Sequence, residues 1–108
     1  MRFMVMAIRG AESVAKLTEY NKSLQKAGVL LARDALFPPS TAARISFLNG
    51  KPIVTEGPFA QSNEIIGGYW ILQVRSREEA IEWARRAPMS NQEMIEVRQI
   101  HEMPDLPV

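Results

Sequence analysis

The stretch Gly67-Gly68-Tyr69-Trp70-Ile71-Leu72-Gln73-Val74-Arg75-Ser76-Arg77-Glu78-Glu79-Ala80-Ile81-Glu82-Trp83-Ala84-Arg85-Arg86-Ala87-Pro88 decides the fold. Tyr69 to Val74 reads as a strand with two apolar faces, Trp70, Leu72 and Val74 on one, Tyr69 and Ile71 on the other. Such a strand is covered on both sides. Ser76 with Glu79 three residues on forms a capping box. Ala80, Trp83, Ala84 and Ala87 then recur at helical spacing, Arg85 and Arg86 suit the negative end of the helix dipole, and Pro88 stops the helix. A strand feeding a capped helix is the first part of a βαβ unit.

Moving outward, Met94 to Ile100 supplies the closing strand, with Ile95 and Val97 on one face and Glu96 and Arg98 on the other. Upstream lies a second unit of the same kind. Arg2 to Ile8 is a strand apolar on both faces, and Val14, Leu17, Tyr20, Leu24 and Ala27 mark a helix from about Ser13 to Ala27, with Gly28 beyond its end. Val29 to Ala32 is a short apolar strand leading to Asp34, and Phe37-Pro38-Pro39-Ser40 is a rigid loop. Between the units, Arg44–Leu48 and Lys51–Thr55 flank Asn49-Gly50, the strongest short hairpin signal, and Pro52 places that hairpin at an edge. Glu56 to Glu64 reads as a loop.

The order predicts an α+β, ferredoxin-like βαββαβ fold with an inserted β-hairpin. Right-handed crossovers put both helices on one face of the sheet. Two helices leave the second face bare, although the first strand and the Tyr69–Val74 strand are apolar there too. The expected cover is a second copy packed sheet to sheet, a homodimer of the dimeric α/β-barrel type, because a monomer would expose a larger patch than soluble chains tolerate. The alternative, the hairpin folded back over that face, covers less area.

Composition narrows the chemistry. The 108 residues suit one domain, expected over residues 1–103, with an arm over 104–108 that Pro104 and Pro107 keep out of helix and strand. Absent cysteine removes disulfides, thiolate metal sites and cysteine nucleophiles, and a single histidine, His101, removes any all-histidine metal site. No cofactor or metal is expected. A net charge of +1 argues against broad nucleic-acid or membrane attraction, and no run approaches a membrane span. Residues 1–8 lack the pattern of a secretory leader, so the cytoplasm is the expected compartment.

One long stretch, Val54-Thr55-Glu56-Gly57-Pro58-Phe59-Ala60-Gln61-Ser62-Asn63-Glu64-Ile65-Ile66-Gly67-Gly68-Tyr69-Trp70, resembles the signature of the DGPF proteins, a branch of the YCII-related family. Ala27-Gly28-Val29-Leu30, Leu36-Phe37-Pro38-Pro39-Ser40-Thr41-Ala42, Asn49-Gly50-Lys51-Pro52, Glu79–Ala84 and Ile95-Glu96-Val97-Arg98 resemble further family motifs, so the likeness spans about residues 2–101. The resemblance implies a dimeric ferredoxin-like fold, in agreement with the apolar-face reasoning. Glu56 stands where the signature has aspartate, Gln61 where it has glutamate and Asn63 where it has lysine. The wider family is associated with a histidine–aspartate pair near a pocket. By resemblance the histidine position looks like Leu17, which transfers no proton, and Asp34 matches an acidic position, so a lone carboxylate stands where a pair would be.

The candidate ligand-binding residues are Arg9, Tyr20, Asp34, Glu56, Phe59, Glu64 and Arg98. Asp34 is the one catalytic candidate, as a general base or an acceptor for a ligand donor, with an arginine ion pair as the competing role. Tyr20 offers a hydroxyl to the same cleft or simply packs. Glu56 and Glu64 bracket one loop, where they bond loop amides or face a pocket, and Phe59 anchors it. Glu96 and Arg98 form a polar pocket between copies or an ion pair there, with Arg9 a cation nearby. Gly67-Gly68 precedes no helix, so it is no phosphate loop; close packing accounts for it. His101 has no assigned role. The leading expectation is a homodimeric small-ligand-binding or regulatory module. A small lyase, isomerase or hydrolase using Asp34 as base is the alternative. A protein-interaction role follows from the association of some DGPF-type domains with sigma-factor-like regulators.

Overall fold

Two sets of apolar side chains on one short strand place Arg2–Ile8 at the centre of a sheet, and the computed structural model, which describes residues 1–8, 14–58 and 65–103, puts it there. In chain order the elements are β1 (Arg2–Ile8), α1 (Val14–Lys26), β2 (Leu30–Ala35), a single 3-10 turn (Pro39–Thr41), β3 (Ala43–Leu48), β4 (Lys51–Glu56), β5 (Ile66–Gln73), α2 (Arg77–Arg85) and β6 (Met94–Gln99). The main sheet runs β2-β5-β1-β6 and each neighbouring pair is antiparallel. This is the α+β arrangement compatible with a ferredoxin-like fold.

Both helices pack on one face. Phe3, Val5, Ala7, Trp70, Leu72 and Val74 meet Tyr20 and Leu24 of α1 and Ala80 and Ala84 of α2 in one buried cluster. Alternation along the strands sends Met4, Met6, Tyr69 and Ile71 to the other face. α1 ends as its sequence suggests: Gly28 takes φ 74°, its amide donates to Gln25 O, and the Val29 amide donates to Leu24 O. These two bonds close a Schellman motif, and Leu24 and Val29 are both buried, the apolar contact that accompanies it.

Several element boundaries differ from the sequence expectation. β2 begins at Leu30 and runs on through Asp34 to Ala35, because its pairing with β5 continues to Gly68. A Cβ at Gly68 would stand 3.0 Å from the Asp34 carbonyl oxygen, so close packing is what this glycine permits. β5 accordingly starts at Ile66 rather than Tyr69. Glu56, expected in a loop, is the last residue of β4, opposite Ala43.

The hairpin turns at Asn49 and Gly50, with φ 52° and 77°, as a two-residue primed turn requires. It forms a two-stranded sheet of its own, and every residue of β3 and β4 is exposed. Neither of its strands pairs with a strand of the main sheet. Its base is tied by the Gly57 amide, which donates to Ala42 O at 2.7 Å. A side chain at Gly57 would collide with the Pro39 carbonyl oxygen.

Candidate functional site

The open face of the sheet carries polar groups in register. Asp34 on β2 opposes Tyr69 on β5, Tyr69 opposes Met6 on β1, and Met6 opposes Glu96 on β6. One row thus reads Asp34, Tyr69, Met6, Glu96 across all four strands. The next row reads Ala32, Ile71, Met4, Arg98. Two methionines and an isoleucine form the apolar middle, with charges at the margins.

The Tyr69 hydroxyl donates to Asp34 Oδ2 at 2.8 Å. That bond, with the carboxylate's charge, raises the Tyr69 pKa above the usual phenol value. At the other end Arg98 Nε lies 3.9 Å from Glu96 Oε2. Asp34 and Glu96 stand three strands apart, about 14 Å at ordinary strand spacing, too far to act as a carboxylate pair on one small substrate.

The helix-facing side of the same region is tight. A cavity of about 60 Å³ lies there, and Leu17, Asn21, Asp34 and Trp70 contribute to its lining. Leu17 and Asp34 both line this cavity, while the Asp34 carboxylate turns to Tyr69 and Leu17 packs against the helix-side core. The volume suits ordered water and is far below that of a metabolite pocket. Trp70 Nε1 donates to Asn21 Oδ1 at 2.7 Å in the buried interior. Tyr20 packs edge-on against Trp70 with centroids 5.4 Å apart, and its hydroxyl donates to Trp83 O at 2.8 Å. Burial pushes the Tyr20 hydroxyl up to about 12, while the nearby Arg86 charge draws it down. The structure therefore ties the Tyr20 hydroxyl to α2.

The other sequence candidates are dispersed. Glu56 is exposed at the far end of β4. Arg98 is exposed on the open face beside Glu96, and His101 is exposed just past β6. Arg9, Phe59, Glu64 and the arm over residues 104–108 lie outside the described residues. Among the described residues no cluster of three or more His, Cys, Asp or Glu is placed to hold a metal ion. No described helix is long and apolar enough to cross a membrane. Sequence reasoning passed over Tyr69 and Asn21. A phenol on an otherwise apolar strand hinted at the first. Naming its partner needs the β2–β5 register, which a bulged edge strand hides.

An uncharacterized protein of Rhizobium meliloti (strain 1021) is 31% identical to this chain over 75 residues, covering 69% of this chain and 60% of the relative. The match thus spans less than two thirds of that protein's length. The YCII-related domain model matches residues 1–104. With a family model that spans nearly the whole chain and an antiparallel α+β sheet to match, the chain belongs to the YCII-related family.

Proposed function

We propose that the chain is a homodimeric small-ligand-binding or regulatory module in which a second copy covers the open face of the sheet. The observation that carries this reading is the Asp34–Tyr69–Met6–Glu96 row, an apolar centre with a hydrogen-bonded carboxylate at one end. A second copy laid over the row would turn an exposed carboxylate into a walled anchor for a ligand donor. Tyr69 occupies one acceptor site of the Asp34 carboxylate, which has several to offer. The titratable group bonded to Asp34 is Tyr69, and the bond with the carboxylate charge keeps the Tyr69 proton in place by raising its pKa, which supports binding over acid–base turnover at this site.

A thermal-shift screen against small polar and aromatic metabolites tests it. A ligand that binds only the folded state raises the melting temperature. The expected result is stabilisation by at least one compound, abolished in Asp34→Ala. Stabilisation that survives Asp34→Ala removes Asp34 from the site. Turnover of a stabilising compound, lost in Asp34→Asn, would replace the binding role by catalysis.

A further inference from the structure

The β3–β4 hairpin carries an unpaired edge whose direction the backbone fixes. Gly57 N donates to Ala42 O at 2.7 Å, so Ala42 and Gly57 face each other as a bonded pair at the hairpin's base. Bonded and unbonded pairs alternate along an antiparallel ladder. With the register Ala43↔Glu56 through Leu48↔Lys51, the inward backbone groups of β3 are those of Arg44, Ser46 and Leu48. Those of Ala43, Ile45 and Phe47 point outward, away from β4. The placement of Pro52 agrees: it stands opposite Phe47, where the ladder asks for no amide.

The two outer edges of the hairpin are unequal. On β4 the outward positions are Pro52, Val54 and Glu56, so a proline removes one donor and a charge flanks another. β3 has no proline and no register shift, and its outward donors and acceptors are complete. Among the described residues no backbone group bonds Ala43, Ile45 or Phe47 from outside the ladder. Every residue of both strands is exposed, and Ile45, Phe47 and Val54 are 59%, 72% and 60% exposed. A lone two-stranded ribbon is marginal in water; independent stability takes three or more strands with an apolar face.

We propose that β3 pairs antiparallel with β3 of a second copy, joining two hairpins into one four-stranded sheet. This pairing rests on the second copy proposed above and names the contact that holds it, without requiring the open face of the main sheet to be buried. The outward residues select one register. With Ile45 opposite the partner's Ile45, Ala43 meets Phe47 on both sides of the two-fold axis, and each such pair exchanges both backbone bonds. A shift towards the hairpin's base would set Arg44 directly against its own copy, and like charges directly opposite cost stability. A shift towards the tip would set Ala43 against Asn49, which φ 52° takes out of the strand. In the favoured register Arg44 faces Ser46, and the apolar face of Ile45, Phe47, Pro52 and Val54 continues into the same residues of the partner. Area supports a second copy too. The chain exposes 8082 Å², whereas a compact monomer of 12.2 kDa exposes about 6,100 Å². The difference of about 2,000 Å² exceeds the ~800 Å² that each partner buries in a stable interface.

Residue-resolved amide hydrogen exchange, read by NMR alongside light scattering, tests the pairing. In the parent, the outward amides of Ala43, Ile45 and Phe47 should be protected like the inward amides of Ser46 and Leu48, while Val54 and Glu56 exchange without protection. Ile45→Pro removes an outward donor that the β3–β4 ladder does not use, as Pro52 does naturally on β4. It should abolish protection at Ala43 and Phe47 and bring the scattered mass down to one 12.2 kDa chain. Ser46 and Leu48 stay protected in it, which shows the hairpin intact; if they do not, the parent's exchange pattern decides alone. Val54→Pro, the same substitution on the other edge, should leave the dimer as it is. A dimer whose Ala43, Ile45 and Phe47 amides exchange as fast as Val54 and Glu56 overturns the edge pairing. Loss of the dimer in Ile71→Glu but not in a folded Ile45→Pro does the same, and assigns the second copy to the sheet face. A dimer that survives Ile71→Glu with β3 still protected supports the edge pairing while removing the sheet-face contact. A parent that scatters as one chain overturns both, and leaves the β3 edge to a strand of another protein.

Discussion

At the residue scale, the two tyrosines, Tyr20 and Tyr69, report two different environments in one titration. Tyr69 holds its proton because its hydroxyl bonds the Asp34 carboxylate and because that charge disfavours a second anion. Tyr20 holds its proton to about 12 because burial penalises the phenolate. Tyrosinate absorbance should therefore show both transitions above the ordinary value of 10.0. Asp34→Asn should bring the Tyr69 transition back towards that value and leave the Tyr20 transition in place. No movement in Asp34→Asn would show that the pair is not formed in solution. Above the unfolded value the native chain binds more protons than the unfolded chain. Stability is thus complete below about pH 10 and falls as pH rises through the raised folded values, the base side of the profile. The acid side has a counterpart. A hydrogen bond from Arg2 Nε at 3.1 Å lowers the Glu102 pKa, so that contribution is present above the ordinary carboxylate range and fades as pH falls through the lowered value. In Glu102→Gln this acid-side loss should vanish, read as a flatter melting temperature between neutral pH and pH about 3.

At the element scale, α2 and the hairpin base make separable predictions. Ser76 Oγ accepts from the Glu79 amide at 3.1 Å, while Glu79 Oε2 accepts from the Arg75 amide at 3.2 Å. The reciprocal bond of the capping box thus reaches one residue further back than the sequence pattern implies. Ser76→Ala should destabilise the fold by about 1 kcal/mol, seen as a fall of several degrees in the melting temperature. Gly57→Ala forces a methyl against the Pro39 carbonyl, and the expected loss is about 1–3 kcal/mol. Hydrogen exchange should rise in the Phe37–Ala42 loop and the hairpin while amides of Val5 and Leu72 stay protected; a uniform rise would contradict a local tie. These elements also mark what was legible in advance. Capping residues, Asn49-Gly50 and the double-faced strands act over a few neighbouring positions, so a single sequence shows them. The extension of β2 through Asp34, the start of β5 at Ile66 and the Tyr69–Asp34 bond depend on register between segments some 35 residues apart. Register across an irregular edge strand has no local signature.

At the scale of the whole molecule, the shape bears on the proposed second copy. The radius of gyration is 16.0 Å and the extents are 46 × 40 × 19 Å. A compact chain of this length has a radius near 13 Å. The shortest extent marks a thin slab, and the β3–β4 hairpin forms a two-stranded sheet separate from the main one. On that hairpin Ile45, Phe47, Pro52 and Val54 share one face by register, and each is exposed. An isolated two-stranded ribbon is marginal in water, and an exposed apolar one invites cover. The open sheet face adds the half-buried Met4 and Ile71. A two-fold arrangement presents the same patches from both copies, so one symmetric contact can cover both apolar surfaces twice. Light scattering should then give about twice the chain mass of 12.2 kDa at micromolar concentration. Ile71→Glu places a charge in the middle of the face that the proposed second copy would cover, without touching the helix-side core, since Ile71 points away from Leu72 and Trp70. It should return the mass to that of one chain while far-ultraviolet dichroism stays unchanged. Phe47→Glu separates the two surfaces: dissociation there too makes the hairpin part of the interface, whereas an intact dimer confines the contact to the sheet. A parent protein that scatters as a single chain would remove the second copy, and with it the wall that the Asp34 anchor requires.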